Sequence, residues 1–323
     1  MPLGAPAQFK ELNQLMVTDH DIELAQQRIT RHVRRTPTMA TKPGELGIDH
    51  DLTLKLECLQ HTGSFKPRGA FNLALASEIP ASGLIAASGG NHGVAVAYVA
   101  RQLGYPAEIF VPAISPKIKV EKIAALDAAL HIGGAVYAEA QAACDTRQAA
   151  TGALTLHPYD AIETVAGQAT CGRELQSQHP EIDTVVVAVG GGGLAAGFAA
   201  AYRDSAKLVT VEPDTSRCLG AALDAGEPVK VTVAGVAADS LGASQVGEVP
   251  WSLLSKHTDT SVTVSDDAIT AARKAAFAEL QVVLEPGGAA ALAALMTGAY
   301  TPEPGERVAV ILCGANADPG DLV

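Results

Sequence analysis

The stretch Thr184-Val185-Val186-Val187-Ala188-Val189-Gly190-Gly191-Gly192-Gly193-Leu194-Ala195-Ala196-Gly197-Phe198-Ala199-Ala200-Ala201-Tyr202 decides how this chain folds. It carries no charge, and a helical membrane span needs about 20 apolar residues. A span does not fit its internal order, however. The stretch opens β-branched, breaks at four consecutive glycines, and continues rich in alanine. That order reads as a buried strand, a turn and a helix. Apolar residues without polar alternation mean that the strand is covered on both faces, as in a parallel sheet.

Working outward, the same alternation fills the chain. Strands are expected at Leu52–Cys58, Leu84–Ala87, Ala107–Val111, Ala153–Leu156, Thr184–Val189, Leu208–Val211, Val229–Val233, Ser261–Val264 and Val308–Leu312. Helices are expected at Asp19–Arg35, Gly69–Ser77, Val94–Leu103, Ile118–Leu130, Ala138–Ala150, Glu163–Gln178, Leu194–Tyr202, Asp266–Leu280 and Gly288–Met296. Thr18 and Ser265 suit helix N-caps. The alternation predicts an α/β fold with helices on both sheet faces. A length of 323 residues gives roughly two domains at about 150 residues each. No linker or repeat marks a boundary. The expected division is a large domain of residues 1–82 plus 157–323 and a small inserted domain of residues 83–156.

Composition removes several functions. The net charge is −12, which argues against nucleic acid, whose phosphates need Lys and Arg. Five scattered cysteines, Cys58, Cys144, Cys171, Cys218 and Cys313, form no C-x-x-C pair. They suggest neither a disulfide framework nor structural zinc, and fit a reducing cytoplasm. No signal peptide or membrane span is expected. The histidines show no metal-ligand spacing, so no metal is expected, and no G-x-S-x-G elbow appears.

Four segments at strand ends carry chemistry. In Gly63-Ser64-Phe65-Lys66-Pro67-Arg68-Gly69-Ala70, a desolvated lysine beside another cation, here Arg68, would have its pKa lowered and its amine freed. In Ser88-Gly89-Gly90-Asn91-His92-Gly93, N–H groups opening a helix would bind an anion. Taken singly, that segment reads equally as a glycine-rich cap with a structural histidine. Gly190-Gly191-Gly192-Gly193 would converge N–H groups into a phosphate-sized nest. Cys313, closing Val310-Ile311-Leu312-Cys313-Gly314-Ala315-Asn316, sits where ligands of α/β sheets gather, or is an inert buried thiol. A competing reading takes Gly191, Gly193 and Ala196 as the dinucleotide fingerprint G-x-G-x-x-A. Glu212 would then be the ribose acid of an NAD-dependent oxidoreductase. It leaves the Lys66 and Ser88–Gly93 segments unexplained.

One ligand uses all four segments: pyridoxal phosphate with an amino-acid substrate. The chain resembles the fold-type II pyridoxal-phosphate enzymes, in the serine/threonine dehydratase and serine racemase branch, from about Asp19 to Asp318. The motifs are Lys55-Leu56-Glu57, Ser64–Ala70, Ser88–Gly93, His157-Pro158-Tyr159-Asp160, Ala166-Gly167-Gln168, the four glycines, Val211-Glu212-Pro213, Glu285-Pro286 and Cys313–Asn316. The resemblance implies two doubly wound, open parallel-sheet domains, like those of tryptophan synthase β, with the cofactor between them.

It implies further that Lys66 is the Schiff-base lysine and the base at Cα. Phe65 would pack on the cofactor ring and Asn91 bond its phenolic oxygen. Gly190, Gly191, Gly192 and Gly193 would hold the phosphate, and Cys313 would meet the pyridine nitrogen. Ser88, Gly89, Asn91 and His92 would form the substrate site and bind its carboxylate. The implied protein is a cytoplasmic homodimer with a small-molecule amino-acid substrate. It would dehydrate and deaminate L-threonine or L-serine to a 2-oxo acid and ammonia. The alternatives are 3-hydroxyaspartate dehydratase, serine racemase and a non-catalytic relic.

Two positions depart from the racemase-like members. The serine that acts on the opposite face of Cα is here Gly89, so racemisation is not expected. Of their cation ligands, Glu212 and the Ser216 carbonyl match but the Asp is Cys218, so no Mg²⁺ or Ca²⁺ is expected and Glu212 reads as a surface acid. The chain ends soon after Asn316, so a feedback-regulatory domain is not expected.

Overall fold

The computed structural model describes residues 16–322. Its strands form two sheets. The larger holds β1 (Thr38–Thr41), β2 (Leu52–Lys55), β7 (Thr184–Ala188), β8 (Lys207–Pro213), β9 (Thr260–Val264) and β10 (Val308–Ile311), in the order β1-β2-β10-β7-β8-β9. It is parallel except for the edge strand β1, which pairs antiparallel with β2. The smaller sheet, β5-β4-β3-β6, is fully parallel. Its strands are β3 (Leu84–Ala87), β4 (Ala107–Val111), β5 (Ala129–Ile132) and β6 (Leu154–Thr155).

All five residues of β7 are buried, as are all ten of α7 (Gly193–Tyr202). Glycine and alanine let α7 lie close against α6 (Ile162–Gln178). A Cβ on Gly197 would stand 2.7 Å from the Ala169 nitrogen, and one on Gly172 would stand 2.6 Å from Ala201 Cβ. Backbones this close gain dispersion contacts that bulkier side chains would prevent. Glycine and alanine in these two helices serve this interface.

A buried ion network anchors α2 (Lys66–Ala76) to the larger sheet. Arg68 Nε lies 2.5 Å from Glu57 Oε1, and Arg68 Nη2 lies 3.2 Å from Glu174 Oε2. Lys55 Nζ lies 2.5 Å from Glu174 Oε1. Burial pushes the Glu57 carboxyl up, but Arg68 and the Thr36 hydroxyl more than offset it, and the group rests below its ordinary value.

Several expectations need correction. Val229–Val233 is not a strand: Val231 N makes one bond, to Ser244 O, and the segment is irregular. The helix expected over Ile118–Leu130 stops early, as α4 (Lys117–Ala124), and the chain turns at Asp127 (φ 61°) into β5. The helix expected over Asp19–Arg35 is α1 (Asp19–Ile29). Helices α8 (Cys218–Ala225) and α9 (Glu248–His257) and strands β1 and β5 were not expected. Thr18 and Ser265 do cap α1 and α10 (Asp266–Leu280). The remaining helices are α3 (Asn91–Leu103), α5 (Tyr137–Thr151) and α11 (Pro286–Met296). The core under the smaller sheet includes Ile29, Ala70, Phe71 and Ala74, which precede its first strand.

Candidate active site

The carboxyl ends of the central strands meet at a cavity of about 540 Å³, the usual place for ligands in open α/β sheets. Lys66, Ser88, Gly89, Asn91, His92 and Gly191 line it. Phe65, Cys313 and the other glycines of the turn are not among its lining residues. Phe65 N donates to Cys313 O at 3.2 Å, and Ser64 bridges Gly314.

Lys66 opens α2, where its amine donates to Pro158 O at 2.9 Å and lies 5.0 Å from the centre of the Phe65 ring. Burial lowers its pKa to about 8, against a partial pull upward from Cys313 and Glu285. The expectation that Arg68 depresses it is corrected. Arg68 is buried and committed to Glu57 and Glu174, so desolvation alone lowers the amine. Burial and Glu285 push the Cys313 thiol far up, so it stays protonated.

The glycine turn is closed to side chains. A Cβ would stand 3.0 Å from Leu241 Cα at Gly190, 2.4 Å from the Tyr159 ring at Gly191 and 2.9 Å from Tyr159 Cβ at Gly193. Gly192 has φ +91°, which excludes other residues by strain. The N–H groups of Gly190, Gly191 and Gly192 meet no acceptor among the described residues. Unpaired amides at a helix start form an anion site, and this one fits a phosphate.

At the N-terminus of α3, the N–H groups of Asn91 and His92 likewise meet no acceptor among the described residues. Asn91 Nδ2 donates to Glu285 Oε1, and Asn91 Oδ1 accepts from Asn316 Nδ2 at 2.8 Å. His92 Nε2 lies 2.6 Å from Leu156 O. Burial, with help from the Lys66 charge, lowers its pKa to about 3, so the ring is neutral with Nε2 carrying the proton. Ser88 Oγ accepts from Gly90 N at 3.2 Å.

Lys119, Asp239 and Ser115 escaped the sequence reading. Glu285 was known only as part of a motif. Lys119 joins it at 2.9 Å and the cavity-lining Asp239 at 2.7 Å, tying α4 to both. Ser115 stands beside Gly89: a Cβ there would lie 1.8 Å from Ser115 Oγ. The space beside Gly89 is taken by a hydroxyl from the end of the β4–α4 connection, which no local pattern could reveal.

Glu212 is a further correction, because it is buried and not a surface acid. Its carboxylate accepts the N–H groups of Leu219 and Gly220 at 2.7 and 2.8 Å, capping α8. An acid committed in this way offers nothing to a ribose, and the dinucleotide reading loses its second half. Among the described residues, no group of three His, Cys, Asp or Glu could hold a metal ion, and no helix is long and apolar enough to cross a membrane.

Lys66 brings an amine of lowered pKa to the cavity, Gly191 brings the glycine turn with its unpaired amides, and the protonated Cys313 thiol is buried outside the lining. The chain belongs to the pyridoxal-phosphate dependent enzyme family, whose profile it matches over residues 29–314. It is 36% identical over 319 residues to a putative threonine dehydratase of Sinorhizobium fredii, covering 97% of this chain and 95% of that one. It is 37% identical over 289 residues to the biosynthetic L-threonine dehydratase of Escherichia coli, covering 88% of this chain but only 56% of that one. Maize serine racemase superposes with a TM-score of 0.88 at 33% identity, over 95% of this chain and 96% of that one.

Proposed function

We propose that this protein eliminates water from a β-hydroxy-α-amino acid, L-threonine or L-serine, and that water then hydrolyses the released dehydroamino acid to a 2-oxo acid and ammonia. The observation that carries the reading is Lys66: a cavity-lining amine whose pKa is about 8, close to the working range of a general base. The threonine dehydratases among the relatives support the choice of reaction.

The residues fit the cofactor. Lys66, Phe65, Asn91, the turn Gly190–Gly193 and Cys313 would hold pyridoxal phosphate, which supplies a sink for the electrons left at Cα. The chain's own groups do the rest. Lys66 Nζ takes the Cα proton and can return one to the departing β-hydroxyl. Amides at the start of α3 bind the carboxylate and fix Cα before the amine. Neutral Cys313 offers the ring nitrogen no charge, which weakens the sink and favours prompt loss of the hydroxyl. We read the working form as a cytoplasmic homodimer, a state that the mass in solution would test.

The test is an absorbance scan followed by a panel of β-hydroxy amino acids, 3-hydroxyaspartate included, assayed for ammonia. Wild-type protein should be yellow and release ammonia from L-threonine or L-serine. Colourless protein that binds no pyridoxal phosphate overturns the reading. Serine racemisation is a second reading, favoured by the Ser115 hydroxyl beside Gly89. D-serine formed as fast as ammonia would select it.

A further inference from the structure

Ser115 ends the β4–α4 connection, where its N–H closes a turn onto Pro112 O at 3.0 Å. Its hydroxyl lines the cavity and meets no hydrogen-bond partner among the described residues. It is not spent on helix α4 either, since Pro116 occupies the N-cap and no side chain caps that end. A hydroxyl beside the active cavity with no partner in the protein is available to a ligand.

Its position says which part of the ligand. Ser115 Oγ stands 1.8 Å from where a Gly89 Cβ would be. Gly89 leads directly into the unpaired amides that open α3. On the other side of Gly89, Ser88 Oγ accepts from Gly90 N, which leaves its own proton to donate. Ser88, Ser115 and the residues carrying the unpaired amides, Asn91 and His92, line the same cavity, and among the described residues no carboxylate side chain bonds to either hydroxyl or to those amides. Such a surface selects an anion that accepts several hydrogen bonds at once. Gly89 is glycine because a Cβ would strike this hydroxyl. Its φ is not in the left-handed region, so its backbone makes no such demand.

We propose that Ser115 is a substrate-binding residue: its hydroxyl donates to the carboxylate of the amino acid, completing the anion site at the start of α3 from across the cavity. The proposal rests on the function above. It adds a contact from the β4–α4 connection and makes positions 89 and 115 one shared space that holds a single side chain.

The experiment uses pyridoxal-phosphate-loaded protein and two unreactive probes, L-alanine and L-alaninol, which differ in the carboxylate. Binding is read from the change in cofactor absorbance, and folding from the melting temperature. Ser115→Ala should bind L-alanine roughly ten-fold more weakly, the value of a hydrogen bond to a charged acceptor, with L-alaninol unchanged. With substrate, KM should rise and kcat hold. Gly89→Ala should weaken L-alanine similarly by displacing the hydroxyl. Gly89→Ser with Ser115→Gly should recover affinity to within about three-fold of wild type, a coupling that independent sites do not show.

Equal losses for both probes, or no loss for either, would overturn the proposal. So would a Ser115→Ala variant that binds L-alanine normally and loses only exchange of the Cα proton, which would assign Ser115 to the second reading. Wild-type protein without cofactor absorbance sinks the function and the proposal together. A yellow, active wild type with a silent Ser115→Ala sinks the proposal alone.

Discussion

The two sides of the cavity are built on different principles. The side from the larger sheet, carrying Lys66, the glycine turn and Cys313, is braced by buried pairs: Arg68 with Glu57 and Glu174, and Lys55 with Glu174. The side from the smaller sheet, carrying Ser88–His92 and Ser115, is tied across by Lys119 to Asp239 and Glu285, and by Lys122 to Asn316. The first set joins α2 to strand β2 and α6, and the second joins α4 to Asp239, to Glu285 before α11 and to Asn316. Charges that span a cleft can part when the cleft opens, whereas those behind it cannot part without unfolding.

Four measurements would break or sharpen that contrast. The largest effect is expected at Lys66. Lys66→Ala should reduce ammonia release by more than about 1,000-fold, since the general base and cofactor anchor are lost together. In the cofactor-free protein, the same change should raise stability below pH 8. Wild-type Lys66 is charged at that pH in both states but desolvated only when folded. Wild-type stability should recover from about pH 8 toward 10.5, as the folded state sheds a proton that the unfolded state keeps. Urea melts at pH 7 and pH 9.5 would show this.

Next comes Arg68→Met, which leaves the buried Glu57 carboxylate without its cation, while Glu174 keeps Lys55. A loss of about 3–5 kcal/mol in urea unfolding is expected. A change in KM without a change in stability would contradict the bracing. Lys119→Met should do the reverse, moving KM several-fold with a smaller drop in melting temperature. If it unfolds the protein as Arg68→Met does, the two sides are not distinct. The smallest effect belongs to His92. Its folded pKa is about 3, so below about pH 6.5 the unfolded state gains a proton that the folded ring refuses, and stability falls as acid is added. A His92→Gln variant should show a shallower acid slope.

The sequence carried more of the cofactor side than of the substrate side. Strand β7, the glycine turn and α7 are legible because a β-branched run, four glycines and an alanine run follow one another along the chain. Lys66 stood out by its neighbours, although the cation named as its modulator proved to be turned into the core. What could not be read depends on distant pairs: Ser115 against Gly89, Lys119 against Glu285, Glu212 against the start of α8. Strand β5 was hidden in an apparent helix because Asp127 takes a left-handed turn that its residue type only permits. Strand β1 is an edge of four residues, too short for periodicity to register.

All five cysteines are buried and unpaired. Burial raises the Cys144 thiol to about 11 and the Cys58 and Cys218 thiols to about 12, so oxidants and alkylating reagents find little thiolate at neutral pH. Modification must wait for a local opening. Cys144 belongs to a satellite cluster of six buried residues under the smaller sheet, while Cys58, Cys171, Cys218 and Cys313 lie in the main core. The order in which they react is therefore a clock: five internal timers, one on the substrate side and four on the other, each recording how often its part of the molecule breathes.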